Sequence, residues 1–291
     1  MTATSSREAD PDHSRTPSSH ARLRIAVIGA GLGSSPHFKS LDDLSDEVEV
    51  AWVYARDAAR LATTPVPGQA QRTSRLEDIL EDAGVRAVMV LTPPHTHLEL
   101  TRALALAGKH VLVEKPLEID LGRATELVEV CEAAGVTLAI MLQHRMREAA
   151  RSLAALVQSG ELGPLVSARA SVRWWRPQSY YDEPGRGTLA RDGGGVLMTQ
   201  AIHTLDLLLS LTGLPERITA HASTSAVHRM ECEDTAAALL HYAGGAIGMV
   251  EATTAAYPGF PECIELNAAN GTATLQGGEL RVAFADGRTR H

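Results

Sequence analysis

The chain has 291 residues, of which 44% are hydrophobic and 21% charged, and its formal net charge is −8. This length allows one large or two ordinary domains with buried cores, and the acidic balance argues against nucleic acid and anionic membranes as partners. The three cysteines lack metal-ligand spacing, so we interpret them as buried thiols in a reducing compartment. No apolar run approaches a membrane span, and the polar N-terminus predicts a disordered tail over 1–21 and a cytoplasmic protein.

The folded part begins with an apolar run at 23–28 that has the composition of a strand. Gly29-Ala30-Gly31-Leu32-Gly33-Ser34 follows, and a strand pattern at 48–54 completes a βαβ unit. A glycine turn before a helix suits a dinucleotide pyrophosphate, because the backbone can approach closely and the helix N-terminus favours negative charge; the alternative is an ordinary tight turn. We predict cofactor contacts from Gly29, Gly31, Leu32, Gly33 and Ser34.

The end of the second strand bears on the choice of cofactor. An NAD enzyme usually places an Asp or Glu there for the ribose hydroxyls, whereas this chain has Ala55-Arg56-Asp57, with Arg60 one turn further on. Two arginines without that acid favour the 2′-phosphate of NADP(H), with NAD(H) as the alternative. On the competing interpretation, Arg56 and Arg60 are surface charges and Asp57 caps the next helix.

Strand and helix patterns continue to alternate as far as residue 143. We predict helices over 75–83, 97–107 and 121–134, and strands over 87–91, 110–113 and 136–141. The alternation predicts a doubly wound parallel sheet, and therefore a Rossmann dinucleotide-binding domain over 22–143.

The turn at 92–97 contains two histidines, His95 and His97. Neither has a carboxylate or cysteine partner at metal-ligand spacing. Contacts to ribose or substrate, or plain turn roles, are therefore favoured over a metal site.

The strand at 110–113 stops abruptly at Glu114-Lys115-Pro116. Ligands of open α/β sheets bind at the carboxyl ends of the strands, and partial burial or a nearby positive ring can lower the pKa of a lysine there. We predict that Lys115 is catalytic. The alternative is that Glu114 and Lys115 form a solvated pair that caps an ordinary strand.

From Arg147 onwards the pattern changes. An amphipathic helix at 147–158 leads to a half-exposed strand at 165–175, a polar loop at 176–192 and, after three glycines, an apolar helix at 196–211. Further strand-like runs lie near 217–227, 234–242, 246–256, 262–268, 272–276 and 279–284. They predict a second, α+β domain over 144–291 with a large, open, mostly antiparallel sheet, so the fold class is α/β overall.

The apolar helix carries a candidate proton carrier. Thr199 and His203 are four residues apart on one face, with Asp206 three residues further on. Histidine titrates near neutrality, so His203 is able to exchange a proton with a substrate hydroxyl while Asp206 orients its ring; the competing interpretation is a core histidine. The three preceding glycines indicate close approach of the backbone to another group.

Together these motifs resemble the Gfo/Idh/MocA oxidoreductases from about residue 23 to the end. The resemblance rests on the glycine loop ending in His37, Thr92-Pro93 with His97, Glu114-Lys115-Pro116 and the run from Gly193 to Asp206. Within the family, the segment 175–188 looks most like that of the sugar 3-dehydrogenases that act on UDP-N-acetylglucosaminuronate.

The resemblance implies hydride transfer between NAD(P) and a secondary alcohol or ketone of a sugar, sugar acid, nucleotide sugar or polyol. It also implies a homodimer or homotetramer built through the C-terminal sheet, and no metal. Lys115 and His203 would be catalytic, with a cis bond before Pro116. Further cofactor contacts would come from Thr92, Pro93, His97, Glu114 and Lys115, and substrate contacts from Arg145, Trp175, Tyr181, Arg186, Thr199 and His203.

Three features depart from the family pattern. Thr199 stands where many members have Asp or Asn, the acid after the second strand is missing, and the chain ends at His291, where a last strand or helix is expected. Two alternatives therefore stay open. One is a regulatory dinucleotide-binding protein without turnover, and the other is a redox-assisted glycosidase of the same fold.

Overall fold

The computed structural model describes residues 21–291, apart from the side chain of Leu32, so the predicted tail at 1–21 lies outside the described residues except for its last position. The first domain contains a six-stranded sheet in which every ladder is parallel. Its strands are β1 (Leu23–Ile28), β2 (Val48–Tyr54), β3 (Gln71–Thr73), β4 (Ala87–Val90), β5 (His110–Val113) and β6 (Leu138–Ile140). Their order, β3-β2-β1-β4-β5-β6, is that of a doubly wound Rossmann sheet.

Helices lie on both faces of this sheet. They are α1 (Ser35–Asp43), α2 (Ala58–Thr63), α3 (Glu77–Leu80), α4 (His97–Leu106) and α5 (Leu121–Ala133). Alternate residues of β1 are buried against different helices: Ile25 and Val27 pack with α1 and α2, whereas Ala26 and Ile28 pack with α3 and α4. Burial on both faces explains why the strand is apolar throughout its interior.

Two local predictions in this domain were wrong. The helix predicted over 75–83 is only the single turn α3, because the Asp82 carboxylate accepts hydrogen bonds from Arg24, the Trp52 indole and the Gly84 amide and so favours a turn. The edge strand β3 was not predicted. It has three residues, two of them exposed, and therefore shows no apolar run.

The second domain contains an eight-stranded sheet. Its strands are β7 (Leu165–Arg173), β8 (Arg217–Ser223), β9 (Thr235–His241), β10 (Ile247–Thr253), β11 (Cys263–Ala268), β12 (Gly271–Gln276), β13 (Glu279–Phe284) and β14 (Thr289–Arg290). The order is β14-β13-β12-β11-β7-β10-β9-β8, and the central pair β7 and β10 is parallel whereas the other ladders are antiparallel. This arrangement confirms the predicted fold class.

The helices of the second domain are α6 (Glu148–Gln158), α7 (Gln178–Tyr181), α8 (Leu189–Asp192), α9 (Val196–Thr199) and α10 (Ile202–Thr212). Leu153 of α6 and Leu208 of α10 pack with buried residues of β7, β10 and β11 in one core. Within residues 21–291 no single helix is long and apolar enough to cross a membrane; Leu189–Thr199 and Ile202–Thr212 reach that length and composition only as a pair bent by 55°.

The single helix predicted over 196–211 is broken into α9 and α10 at residues 200–201. At the break, the carbonyl of Thr199 accepts a hydrogen bond of 2.8 Å from Lys115 Nζ of the first domain. The break thus coincides with a contact to a partner 84 residues away in the sequence, which helical periodicity does not reveal.

The close approach predicted for the three glycines before α9 is confirmed. A Cβ on Gly193 would lie 2.4 Å from the carbonyl oxygen of Ile119, in the first domain, and a Cβ on Gly195 would lie 1.7 Å from that of Glu233. The Glu233 carboxylate accepts hydrogen bonds from the amides of Gly195 and Leu197, at the start of α9. Gly193 thus allows the two domains to meet beside α9, and Gly195 allows α9 to pack against Glu233 within the second domain.

We predict that Gly193→Ala destabilises the protein more than Gly160→Ala. Both glycines have a positive φ, +74° and +71°, so either alanine costs about 1 kcal/mol of backbone strain. Only Gly193 also faces backbone at 2.4 Å, whereas nothing lies within 4 Å of a Cβ on Gly160. Chemical denaturation should give a loss of about 4 kcal/mol or more for Gly193→Ala. Equal losses in the two variants would contradict the packing described for this junction.

Candidate active site

A cavity of about 1020 Å³ lies between the two domains; it covers the carboxyl ends of the parallel strands and extends along one face of the sheet to Leu23, Val48 and Ala87. Such crevices are where ligands bind in doubly wound folds. Among the predicted site residues, the cavity is lined by Gly29, Gly31, Gly33, Arg60, Thr92, Pro93, Glu114, Lys115, Arg186, Thr199 and His203. The structure therefore brings most of them together.

The glycine loop leaves room for a ligand against bare backbone. Gly29 has φ +111°, and a Cβ there would lie 2.8 Å from the Leu91 carbonyl oxygen, whereas nothing lies within 4 Å of a Cβ on Gly31 or Gly33. Leu32 and Ser34 belong to a short 3-10 turn, and the buried Ser34 hydroxyl donates to the Gly31 carbonyl instead of facing the cavity. The open glycines and the start of α1 fit a pyrophosphate group.

The two arginines after β2 differ in position. Arg60 lines the cavity, whereas Arg56 is exposed and is not part of its wall. The side chain of Asp57 accepts a hydrogen bond from the Arg60 amide and caps α2, as the competing interpretation has it. Arg60 is thus the one of the two placed to meet a phosphate in this cavity.

His97, which was predicted to contact the cofactor, lies behind the cavity wall instead. It is fully buried, with Nε2 2.8 Å from the Thr92 carbonyl oxygen and Nδ1 3.1 Å from that of Leu117. Burial lowers the pKa of its ring. His97 is therefore not part of the cavity wall and instead connects the ends of β4 and β5, while Thr92 and Pro93 form the wall.

Glu114 and Lys115 lie at the cavity end of β5, and the Lys115-Pro116 peptide is cis. Oε1 of Glu114 lies 2.6 Å from Nε2 of His37, in the first turn of α1, and its Oε2 accepts from the Lys115 amide at 2.9 Å. Burial raises the pKa of Glu114, but His37 and Lys115 together hold it below its ordinary value. Glu114 is therefore an ionised group that fixes the end of β5 against the glycine loop.

Lys115 is partly buried, and its Nζ reaches the second domain to bond the Thr199 carbonyl. Burial lowers its pKa, and the charge of Arg186 lowers it further. An ammonium group has three protons to donate. The bond to Thr199 uses one of them, which leaves two for a ligand oxygen in the cavity.

His203 stands beside Lys115 on the cavity wall and is only 6% exposed. Its ring stacks on His144 with the centroids 4.8 Å apart, and its Nδ1 has no hydrogen-bond partner among the described residues. Burial, followed by the charges of Lys115 and His144, lowers the pKa of His203 to about 4. The imidazole is therefore neutral at pH 7 and able to accept a proton.

The expected pairing of Asp206 with His203 was wrong. Both carboxylate oxygens of Asp206 accept from Arg145 instead, one of them from Nε at 2.6 Å. Arg145 was predicted to contact substrate, but this fork-to-fork pair holds its guanidinium outside the cavity wall. The stacked ring of His144, four residues after the end of β6, takes the position beside His203.

The two aromatic residues expected at the substrate also lie elsewhere. Tyr181 is buried, and its hydroxyl lies 2.7 Å from Thr254 Oγ1, an environment that raises its pKa to about 12 mainly through burial. Trp175 packs edge-on against Tyr257 and is not in the cavity wall. The neighbouring Tyr180 lines the cavity instead. The sequence does not distinguish Tyr180 from Tyr181, because α7 is only one turn long.

Three charged residues of the cavity wall were missed by the sequence analysis: Glu183, Arg191 and Asp192. They lie in the segment predicted as a polar loop, where charge is expected on any surface. The adjacency of Asp192 to the three glycines was the one available signal. No group of three or more His, Cys, Asp or Glu side chains within residues 21–291 is placed to hold a metal ion.

Comparisons with known proteins follow the two domains. A family model described as an oxidoreductase family with an NAD-binding Rossmann fold matches residues 23–142, and the GFO/IDH/MocA C-terminal domain matches residues 150–274. The chain belongs to the Gfo/Idh/MocA oxidoreductase family.

Individual members of the Gfo/Idh/MocA family support this assignment. The WlbA dehydrogenase of Bordetella pertussis, solved with NADH and UDP-GlcNAcA, is 30% identical with a TM-score of 0.82, over 89% of this chain and 78% of its own. The oxidoreductase YhhX of Escherichia coli is 29% identical over 76% of this chain and 62% of its own length. Myo-inositol 2-dehydrogenase of Thermotoga maritima is 27% identical over 86% and 74%. The chain thus spans less than two thirds of some curated relatives, YhhX among them.

We predict that His203 makes the folding stability of the protein sensitive to acid. Because its pKa is lowered on folding, the unfolded chain binds the proton first as the pH falls below about 6.5, and stability is lost progressively down to about pH 4. Once His203 is fully protonated, its contribution lowers the free energy of unfolding by about 3 kcal/mol. Urea denaturation at pH 7 and pH 5 should show a smaller difference for His203→Phe than for the unaltered protein. Parallel pH dependence in the two proteins would contradict a neutral, buried His203.

Proposed function

We propose that the chain is an NAD(P)-dependent dehydrogenase that acts on a secondary alcohol or ketone of a sugar, sugar acid, nucleotide sugar or polyol. The observation that carries this proposal is the position of Lys115 and His203 on the wall of the cavity that also contains the open glycine loop. A hydride acceptor and the two groups that handle a hydroxyl proton would then meet in one crevice. The sugar and polyol substrates named for WlbA and the inositol dehydrogenase support the substrate class.

The roles of the two residues follow from their charge states. When bound, the nicotinamide supplies the hydride chemistry. In the oxidation direction, neutral His203 accepts the hydroxyl proton while a hydride leaves the carbon that carries this hydroxyl. Lys115 stabilises the charge that develops on the oxygen. The Thr199 carbonyl holds Nζ in position and so reduces the cost of orienting a flexible lysine.

For the cofactor we propose a preference for NADP(H), with NAD(H) as the alternative substrate. Arg60 lines the cavity and is placed to pair with a 2′-phosphate, and the Asp57 carboxylate is engaged as a helix cap instead of being free for ribose hydroxyls. Turnover with the two cofactors at equal concentration tests this preference. A higher kcat/KM with NAD(H) would contradict it.

We predict that Lys115→Ala lowers kcat by roughly 100- to 10,000-fold, because the group that stabilises charge on the reacting oxygen is lost. Absorbance of the reduced cofactor, measured with a panel of sugars, sugar acids, nucleotide sugars and polyols, gives the rate. Cofactor affinity, measured by fluorescence, should change little, since the glycine loop is intact. Normal turnover by Lys115→Ala would contradict the assigned role. Tight cofactor binding without turnover of any panel member would favour the regulatory alternative.

We also propose that the chain forms a homodimer or homotetramer through the outer face of the eight-stranded sheet. Leu239 and Met249 are directly paired across β9 and β10, and Ile247 lies two residues along β10 on the same face. These side chains are 46%, 46% and 50% exposed in the single chain, whereas Leu240 and Val250 on the opposite face are buried. A contiguous apolar patch on a sheet face favours association.

We predict that Met249→Glu shifts the protein towards the monomer, because a carboxylate would be buried without a partner in such an interface. Sedimentation velocity over a range of concentrations measures the change. Leu106→Glu, at a position of α4 that is 78% exposed, is the control and should leave the oligomer unaltered. A monomeric unaltered protein, or an unaltered oligomer in Met249→Glu, would contradict an interface on this face.

A further inference from the structure

The segment between β7 and α9 contains one carboxylate that holds two arginines of the cavity wall. Oε2 of Glu183 accepts from Arg186 through Nε, at 2.9 Å, and through Nη2, while Oε1 accepts from Arg191 Nη2 at 3.1 Å. All three residues line the cavity that contains Lys115. The two guanidinium groups thus share the Glu183 carboxylate, and Arg191 Nε also lies 3.8 Å from Oδ1 of Asp192.

Glu183, Arg186 and Arg191 form a charged cluster, in which the two arginine side chains are less exposed than the glutamate. The side chains of Arg186 and Arg191 are 23% and 20% exposed, whereas that of Glu183 is 41% exposed. The Arg186 guanidinium also stacks on the Tyr180 ring, 4.2 Å from its centroid, and Arg191 donates to the Pro184 carbonyl at 3.1 Å. An exposed ion pair contributes little, so a ligand carboxylate is able to replace Glu183 at modest cost.

The charge of Arg186 also affects Lys115, the residue proposed to meet the reacting hydroxyl. After the larger effect of burial, the charge of Arg186 is the next influence that lowers the pKa of Lys115. Arg186 and Lys115 also line the same cavity, so one small molecule is able to place an anion at Arg186 and a hydroxyl at Lys115. A sugar that carries a carboxylate on its own ring meets both conditions.

We propose that Arg186 and Arg191 form a carboxylate subsite, which Glu183 occupies when no substrate is bound, and that the substrates are sugar acids, free or linked to a nucleotide. This inference rests on the proposed dehydrogenase function and narrows its substrate class. Glu183 itself indicates the ligand chemistry, since a carboxylate matches the guanidinium geometry that is already present. Tyr180 provides an apolar face beside the subsite for the sugar ring.

The test compares ligands that differ only at one carbon, with the protein loaded with cofactor. Calorimetry measures the affinity for glucuronate against glucose, and for UDP-glucuronate against UDP-glucose, with glucose 6-phosphate as the phosphate probe. In at least one of the two pairs the acid should bind more tightly than its neutral partner. Arg186→Gln should weaken binding of that acid by roughly 10- to 100-fold, with a much smaller effect on the neutral partner.

Glu183→Gln is the decisive variant, because it removes the internal carboxylate but keeps the shape of the side chain. Affinity for the acid should increase by up to about fivefold. The matched control is Glu161→Gln: Glu161 also holds two arginines, Arg288 and Arg290, but it is not part of the cavity wall, so affinity should stay unaltered.

The results separate the subsite from the dehydrogenase function. Acid binding that depends on Arg186, even without turnover, supports the subsite. The carboxylate subsite is overturned if neither acid binds better than its neutral partner. It is also overturned if glucose 6-phosphate binds more tightly than glucuronate, or if Glu183→Gln weakens acid binding. Turnover of neutral sugars in any of these cases would leave the dehydrogenase proposal intact.

Discussion

The hydrogen bond from Lys115 Nζ to the Thr199 carbonyl is the contact on which the site depends. It joins the end of β5 to the break between α9 and α10, and so connects the dinucleotide-binding sheet with the second domain across 84 residues of sequence. Near this point Gly193 lets the second domain pack closely against Ile119 of the first, and Gly195 lets the start of α9 pack against Glu233 within the second domain. The glycines, the helix break and the lysine are therefore parts of one arrangement.

In the first domain, buried hydrogen bonds of His97 and Glu118 hold the segments next to Lys115. The neutral His97 ring lies between the carbonyls of Thr92 and Leu117 and donates its one N–H to one of them, and the buried Glu118 carboxylate accepts from the amides of Leu98 and Ile119 and from Arg123. These bonds satisfy backbone groups that would otherwise be buried without partners. They hold the turn that follows Pro116, next to Lys115, against the start of α4.

The sequence predicts well what depends on neighbouring residues. The strand, glycine turn and helix of the first βαβ unit follow from local pattern, and so do Lys115 at the end of β5 and His203 on an apolar helix. What it does not predict depends on partners far along the chain. The pair of Arg145 with Asp206 spans 61 residues. Its formation leaves His203 beside His144, a neighbour that no motif indicated.

The choice between adjacent residues is a second limit of the sequence. Tyr180 and Tyr181 have the same chemistry, and a one-turn helix has no periodicity to show which ring is buried. Thr254 decides the matter by meeting the Tyr181 hydroxyl, while the two rings pack edge to face at 5.0 Å. Likewise, nothing local shows that Glu183 turns back onto Arg186 and Arg191. Charged loops are common on surfaces, and only the fold places this one over a cavity.

Thr199 meets Lys115 through its backbone carbonyl, and this bears on the electrostatics around the lysine. A carboxylate beside Nζ would favour the charged ammonium form and raise its pKa, whereas a backbone carbonyl is only a dipole. The Thr199 hydroxyl is engaged locally, 2.7 Å from the Gly195 carbonyl oxygen and beside Gln200 Oε1, so it adds no charge. Burial and the charge of Arg186 lower the pKa of Lys115 and outweigh the opposing carboxylates of Glu114 and Asp192. The charge of Lys115 in turn lowers the pKa of His203, after the larger effect of burial, so the lysine held by Thr199 helps to keep that imidazole neutral.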